Sequence, residues 1–327
     1  MDNALITGIT GFVGSHLAEY LVQQPNLQVF GLARWRASRD NIHLVEDQIK
    51  IIEGDLVDLP SLLNLIRTVR PRYVFHLAAQ SYVPYSFVAP VTTLEANCLG
   101  TCNLLEAIKI IRDDDPDFDP IVHICSSSEV YGQVTEDQIP ITEDCPFRPA
   151  SPYAVSKVAE DMLGWQYFTS WGIKTIRSRM FTHTGPRRGE TFVVSTFAKQ
   201  IAEAERAGGG KVLVGNLDSV RTFTDVRDAV KAYWLMVQHC EPGEAYNVGG
   251  VETMTIGEML NLLIEMSDVQ IEVVRDPTRL RPSDVTLQIP CCDKFKAATG
   301  WEPAIRFKQT LQDTLDYWRD YLRRMDR

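Results

Sequence analysis

Tyr153 and Lys157 stand four residues apart in the segment Ser151-Pro152-Tyr153-Ala154-Val155-Ser156-Lys157. In a helix this spacing puts phenol and ammonium on one face. A cation so placed lowers the pKa of the phenol towards the working pH, letting the tyrosine exchange a proton with a hydroxyl or a ketone. Upstream, Ser126-Ser127-Ser128-Glu129 closes an apolar run. At a strand end the Ser127 hydroxyl can hydrogen-bond the same substrate oxygen as Tyr153. A Tyr-Lys pair at this spacing also decorates ordinary helix surfaces, so its reading depends on what surrounds it.

The surroundings include Gly8-Ile9-Thr10-Gly11-Phe12-Val13-Gly14, set between an apolar run and a helical pattern. A pyrophosphate lying on the free N–H groups of a helix N-terminus needs close approach to backbone, which a Cβ would block. Gly8, Thr10, Gly11, Phe12, Val13 and Gly14 are therefore expected to line a dinucleotide site, where a nicotinamide would exchange hydride beside Tyr153. NAD-specific sites place an acidic residue after the second strand, whereas a 2′-phosphate calls for arginine. Arg34 and Arg36 follow that strand and no carboxylate occurs before Asp40, which favours NADP. Asp55 and Leu56, after the third strand, suit contact with the adenine edge; an aspartate there could equally cap the next helix.

The elements that position these residues alternate. Apolar runs at residues 3–7, 28–32, 49–53, 73–77 and 120–125 read as strands, and helical patterns at 15–22, 59–68 and 93–109 separate them. The expected fold is α/β, a Rossmann-type doubly wound parallel sheet with a smaller C-terminal substrate-binding α/β part. Residues 1–180 would form the cofactor domain with the Tyr-Lys helix. Residues 181–327 would mainly bind substrate, with some segments returning to the sheet.

Composition limits the partners. The 327 residues carry a net charge of −10, with 45% hydrophobic and 23% charged residues, enough to build a core and too acidic on average to favour nucleic acid or anionic lipid. Arginines that bind an anionic ligand should then be few and local. No apolar run approaches the roughly 20 residues of a membrane span, and the first residues enter a strand without a basic leader, so a cytoplasmic location is expected. The seven cysteines are scattered without CxxC spacing and read as reduced thiols. No set of His, Asp and Glu has metal-ligand spacing.

The chain resembles the extended short-chain dehydrogenase/reductase family over nearly its whole length, in the branch of nucleotide-sugar dehydratases, epimerases and reductases. Gly8 to Gly14, His76-Leu77-Ala78-Ala79-Gln80, Asn97, Ser126 to Gly132, Ser151 to Lys157 and Arg221 to Asp228 carry the resemblance. The loop Pro186 to Val193 is similar to that of the GDP-mannose 4,6-dehydratases. Val214 to Leu217 and Leu280 to Asp284 resemble the GDP-sugar branch, which also holds GDP-4-keto-6-deoxymannose reductases. The resemblance implies cofactor contacts at Leu77, Ala78 and Ala79. It implies substrate contacts at Ser81, Ser128, Arg188, Glu190, Asn216, Arg221 and Arg281, with the arginines around the nucleotide diphosphate and ribose. It further implies a homodimer or homotetramer paired through helices near 93–111 and 152–170.

Three departures stand out: Phe12-Val13 where the dehydratases have Gln-Asp, Ser127-Ser128-Glu129 where they have Thr-Ser-Glu, and Thr182-His183 where the family has Asn-His. The first two pull towards the reductases and the loop from Pro186 towards the dehydratases. A 4,6-dehydratase needs a base beyond Tyr153 and Lys157 to take the C5 proton and expel the C6 hydroxyl, and Glu129 is placed for it. A reductase needs only Ser127, Tyr153, Lys157 and NADPH, and because reductases of this branch can keep a carboxylate at this position, Glu129 permits the dehydratase without deciding for it. Arg187, Arg227 and Arg279 are read as partners of nearby carboxylates. A scaffold that holds a dinucleotide without turnover is the remaining class, and it would ordinarily lack the Tyr or the Lys.

Overall fold

The computed structural model describes residues 1–280 and 285–325. The strands are β1 Asp2–Thr7, β2 Leu27–Ala33, β3 Ile49–Glu53, β4 Tyr73–His76, β5 Ile121–Cys125, β6 Thr175–Met180, β7 His183–Thr184, β8 Gly210–Val214, β9 Val220–Asp225, β10 Ala245–Val248, β11 Glu252–Thr255, β12 Ile271–Arg275 and β13 Leu287–Gln288. Seven of them form one sheet in the order β10-β6-β5-β4-β1-β2-β3, parallel throughout. β4, β6 and β10 are buried along their whole length, the mark of parallel strands covered on both faces. Strand order reverses between β1 and β4, so the crevice beyond their carboxyl ends is where such a sheet takes a ligand.

The helices are α1 Phe12–Leu21, α2 Leu59–Val69, α3 Val83–Val88, α4 Pro90–Leu94, α5 Gly100–Asp114, α6 Pro152–Trp171, α7 Val193–Ala207, α8 Val226–His239, α9 Ile256–Ile264, α10 Asp293–Thr299 and α11 Phe307–Met325. α1 and α8 pack on one face of the sheet with Leu17, Leu21, Tyr233 and Met236. α2 and α5 cover the other with Leu62, Ile66, Leu104 and Ile108. Burying an aliphatic side chain of this size contributes about 1.5–3 kcal/mol.

One helix differs from the sequence pattern. The stretch read as regular over 93–109 contains a wide, π-helical turn at Glu95–Leu99 between α4 and α5. That turn aims Asn97 at the loop after β4: its Oδ1 accepts the Gln80 N–H at 2.7 Å, and its Nδ2 donates to the Gln80 carbonyl at 3.0 Å and to Ser156 Oγ of α6 at 2.8 Å. π-turns of this kind often occur where a side chain must be re-aimed.

Helix α6 is fixed at both ends and in the middle. Ser151 caps it by accepting the Ala154 N–H at 3.0 Å, Pro152 occupies its first position, and Gly172 ends it at φ +64°. In the middle, Asp161 is wholly buried and accepts from Arg177 at 2.8 Å and Arg179 at 2.9 Å, both on β6.

The second group of elements follows β6. β9 is flanked by antiparallel β11 and by parallel β13 and β7, while β8 pairs with β12. α7, α9 and α11 enclose a separate core of Phe197, Ile201, Leu260, Leu311 and Trp318. β10, from the same half of the chain, lies at the edge of the large sheet beside β6.

Candidate active site

Because α6 starts at Pro152, Tyr153, Lys157 and Glu160 fall on one buried face. The Lys157 ammonium donates to the Cys125 carbonyl at the end of β5 at 2.8 Å and to a Glu160 carboxylate oxygen at 2.9 Å. It lies 6.0 Å from the centre of the Tyr153 ring. The Ser127 side chain lies near enough to the Tyr153 phenol to lower its pKa, and the Ser127 hydroxyl accepts the Glu129 N–H at 3.2 Å. Glu129 stands half-buried on the short 3-10 turn Ser128–Tyr131 that follows Ser127.

The electrostatics correct one expectation. The Tyr153 phenol is held above its ordinary pKa, because burial outweighs the downward pull of Lys157; Glu160 adds to the rise and Ser127 opposes it. Burial by itself would depress Lys157, but Glu160 and Tyr153 hold it above its usual value. Glu160 is pushed up to about 7 by burial, against the pull of Lys157.

The crevice fits a dinucleotide. Gly8 turns at φ +72°, and a Cβ there would stand 2.9 Å from the Ala78 backbone. Helix α1 begins after Gly11, which offers no side chain to cap it, so the N–H groups of its first turn face the crevice as an anion would need. Thr7 Oγ1 accepts from the backbone N–H of Leu77 at 3.1 Å and of Ala78 at 3.2 Å, which holds the β4 loop against the β1 loop. Ala79 follows in the same loop. Thr10 accepts a bond from Asn41 at 3.0 Å through its carbonyl. Arg34 and Arg36 are exposed just past β2 and have no carboxylate partner among the described residues. Leu56 packs against Gly100. Asp55 accepts the Val57 N–H at 3.2 Å, and the cap of α2 is Asp58, which accepts from Ser61.

Arg188 is set among aromatic rings. Its guanidinium is 3.5 Å from the Phe192 ring centre and 5.0 Å from that of Phe12, and it faces Tyr153 and Tyr233, with burial lowering its pKa to about 10. The Phe12 ring in turn stacks on His183, 6.1 Å between centres. Burial, with Arg188, holds His183 down to about 4, so the stack is neutral at the histidine.

The remaining expected contacts are dispersed. Ser128 donates to Gln288 at 3.0 Å, and Arg221 is buried and donates to the carbonyls of Val220 and Val285. Asn216 holds its own turn, donating to Ser219 at 3.0 Å. Ser81 is exposed after the β4 loop. The Glu190 carboxylate is 56% exposed and paired with Lys199 of α7. Arg281 lies outside the described residues. Arg187 pairs with Glu19 at 2.7 Å, Arg227 with Asp225 at 2.7 Å, and Arg279 with Asp276 at 3.4 Å. Arg187 also donates to the Asn41 carbonyl at 2.7 Å, tying the loop after β7 to the one after β2. No cluster of metal-ligating residues occurs among the described residues.

Sequence reasoning missed Glu160 at this site. Its signal was present, three residues beyond Lys157 on the same helical face, but an acidic residue there reads as a solvated pair.

The sequence profile of the family described as GDP-mannose 4,6 dehydratase matches residues 5–314. The chain is 35% identical to the GDP-6-deoxy-D-mannose reductase of Pseudomonas aeruginosa, over 97% of each chain. It is 32% identical to the GDP-mannose 4,6-dehydratase of Yersinia enterocolitica, over 94% of this chain and 91% of that one. Among solved structures it is similar to RMD from Pseudomonas aeruginosa complexed with NADPH, with a TM-score of 0.83 at 33% identity, covering 98% of this chain and 100% of that one.

Proposed function

The chain belongs to the GDP-mannose 4,6-dehydratase family, and on that premise we propose that it converts GDP-mannose to GDP-4-keto-6-deoxymannose with NADP as a resident, regenerated cofactor. The observation that supports this reading is the Glu129 carboxyl group, half-buried on the turn that follows Ser127, since the reaction calls for a second base and the resemblance offers Glu129 for it.

Each residue has one task. Tyr153 takes the proton of the C4 hydroxyl while Ser127 orients its oxygen. Lys157 favours the phenolate and would bind the nicotinamide ribose. The ketone at C4 acidifies the C5 proton, which Glu129 removes, and the same carboxyl returns a proton to the departing C6 hydroxyl as water leaves. When bound, the nicotinamide would accept the C4 hydride and return it to C6, while C5 takes up the proton that Tyr153 removed from the C4 hydroxyl, so the sequence is redox-neutral and releases one water. Ser81, Ser128, Glu190 and Asn216 are assigned to the substrate, and Arg188, Arg221 and Arg281 to its nucleotide diphosphate and ribose.

The choice of NADP rests on Arg34 and Arg36 beyond β2 and on the NADPH bound by the Pseudomonas aeruginosa structure. A homo-oligomer is supported by the exposed apolar side chains of Val91, Leu94, Leu99, Val155, Met162 and Trp165 on α4 to α6. Free thiols at all seven cysteines fit a cytoplasmic location, and no described helix is long and apolar enough to cross a membrane.

The second reading is a GDP-4-keto-6-deoxymannose reductase, favoured by the 35% identity to the reductase. One assay separates them. Incubation with GDP-mannose and catalytic NADP should give a product lighter by one water in mass spectrometry. No such loss, together with stoichiometric NADPH oxidation on the 4-keto sugar, would establish the reductase instead.

A further inference from the structure

Lys157 has a partner that proton transfer at Tyr153 does not require. Glu160 is 1% exposed, with Oε2 at 2.9 Å from the ammonium, and its Oε1 has no hydrogen-bond partner among the described residues. A half-satisfied buried carboxylate is costly to keep unless it serves the charge beside it. Tyr153, Lys157 and Asp161 face it from its own helix, Asp161 already neutralised by Arg177 and Arg179 of β6. Cys98 faces it from the π-turn. Around the ammonium stand Cys125 and His123 of β5 and His76 of β4, both histidines neutral through burial.

We propose that Glu160 is a positioning residue that acts through Lys157, drawing the field of the ammonium off the Tyr153 phenol and so setting the pH at which that phenol releases its proton. The carboxylate oxygen is 2.9 Å from the ammonium, and the ammonium is 6.0 Å from the Tyr153 ring centre. With Glu160 ionised, the phenol faces an ion pair whose field falls off faster than that of a lone cation. With Glu160 protonated it faces the full charge of Lys157. Since the carboxyl titrates near 7, this switch falls in the neutral range.

The inference rests on Tyr153 being the proton-exchanging group, and its test does not need turnover. The ultraviolet absorbance of tyrosinate is titrated in the whole protein, with and without Tyr153→Phe, so that the difference reports Tyr153 alone. In the Glu160→Gln background the midpoint should fall by about one pH unit, a roughly tenfold loss of proton affinity. Glu160→Asp, which keeps the charge, should stay with the parent protein. The limb of the kcat/KM profile that Tyr153 sets, the acid limb where it takes a proton from GDP-mannose and the alkaline limb where it gives one to the 4-keto sugar, should move down by the same interval. An unmoved midpoint overturns the proposal, whatever happens to activity. A shifted midpoint in a protein that turns over neither sugar upholds it and sinks the functional reading instead. Glu160→Met, similar in volume and uncharged, carries the same comparison should the glutamine variant fail to fold.

Discussion

Gly14 faces the Gly8 carbonyl so closely that a Cβ at position 14 would stand 2.2 Å from its oxygen. The obstacle is backbone on both sides, so no side chain can yield. Gly14→Ala must push α1 away from β1, at a cost of about 1–3 kcal/mol, and with it the N–H groups that the crevice offers to a pyrophosphate. Isothermal titration should show at least roughly tenfold weaker NADPH binding, and the melting temperature should fall.

Tyr153→Phe removes one hydroxyl and keeps a ring that is 8% exposed. The kcat for the GDP-sugar should drop about 10²- to 10⁴-fold, while NADPH binding is retained. Activity equal to that of the parent protein would contradict the assignment of Tyr153.

Arg34 and Arg36 are exposed, so their contribution is open to screening by salt. Arg34→Ala and Arg36→Ala should each reduce the preference for NADP over NAD by about tenfold at low salt, with NAD affinity unchanged. Kinetics with both cofactors at two ionic strengths check this, since the loss should shrink as salt rises.

Asp161 holds α6 to β6 through Arg177 and Arg179, and its side chain is fully buried. Asp161→Asn leaves two buried guanidinium groups without their counter-charge. Breaking a buried pair in this way costs about 3–5 kcal/mol, so urea unfolding should show a much lower midpoint.

Acid should destabilise the fold before the ordinary carboxylates titrate, with Glu160, raised to about 7, working in the opposite sense as one group against the histidines below. Burial holds His76 and His123 down to about 3 and His16 to about 4, from an ordinary value of 6.5; Lys157 adds to the effect at His76 and Arg187 to that at His16. The unfolded chain therefore binds more protons than the folded one below pH 6.5. The stability these histidines contribute is present above that pH and is lost as pH falls towards 4 and 3, at about 1.4 kcal/mol per pH unit for each. Thermal unfolding between pH 7 and 5 should show the decline. His123→Phe should reduce its slope, provided the variant folds.

The large sheet is legible because its strands are short, apolar and set between helical patterns, and because Gly8 and Gly14 occupy positions where no other residue fits. The π-turn at Glu95–Leu99 is not legible: one wide turn barely disturbs a helical period, and its cause lies in Asn97 reaching Gln80 and Ser156. Spacing pairs Lys157 with Tyr153 but carries no information about depth, and depth reverses the net effect on the phenol. Glu160 is hidden for the same reason. Its sequence neighbourhood is that of a surface salt bridge, and only the covering elements turn it into a buried one.

An ammonium has three N–H bonds to give. At Lys157 one points to the carboxylate of Glu160 and one to the carbonyl of Cys125, so a single direction remains for anything in the crevice. A vicinal diol that reaches this lysine must divide one proton between its two oxygens. The lysine therefore grips with one hand, and the orientation of a sugar ring about that contact has to be decided elsewhere.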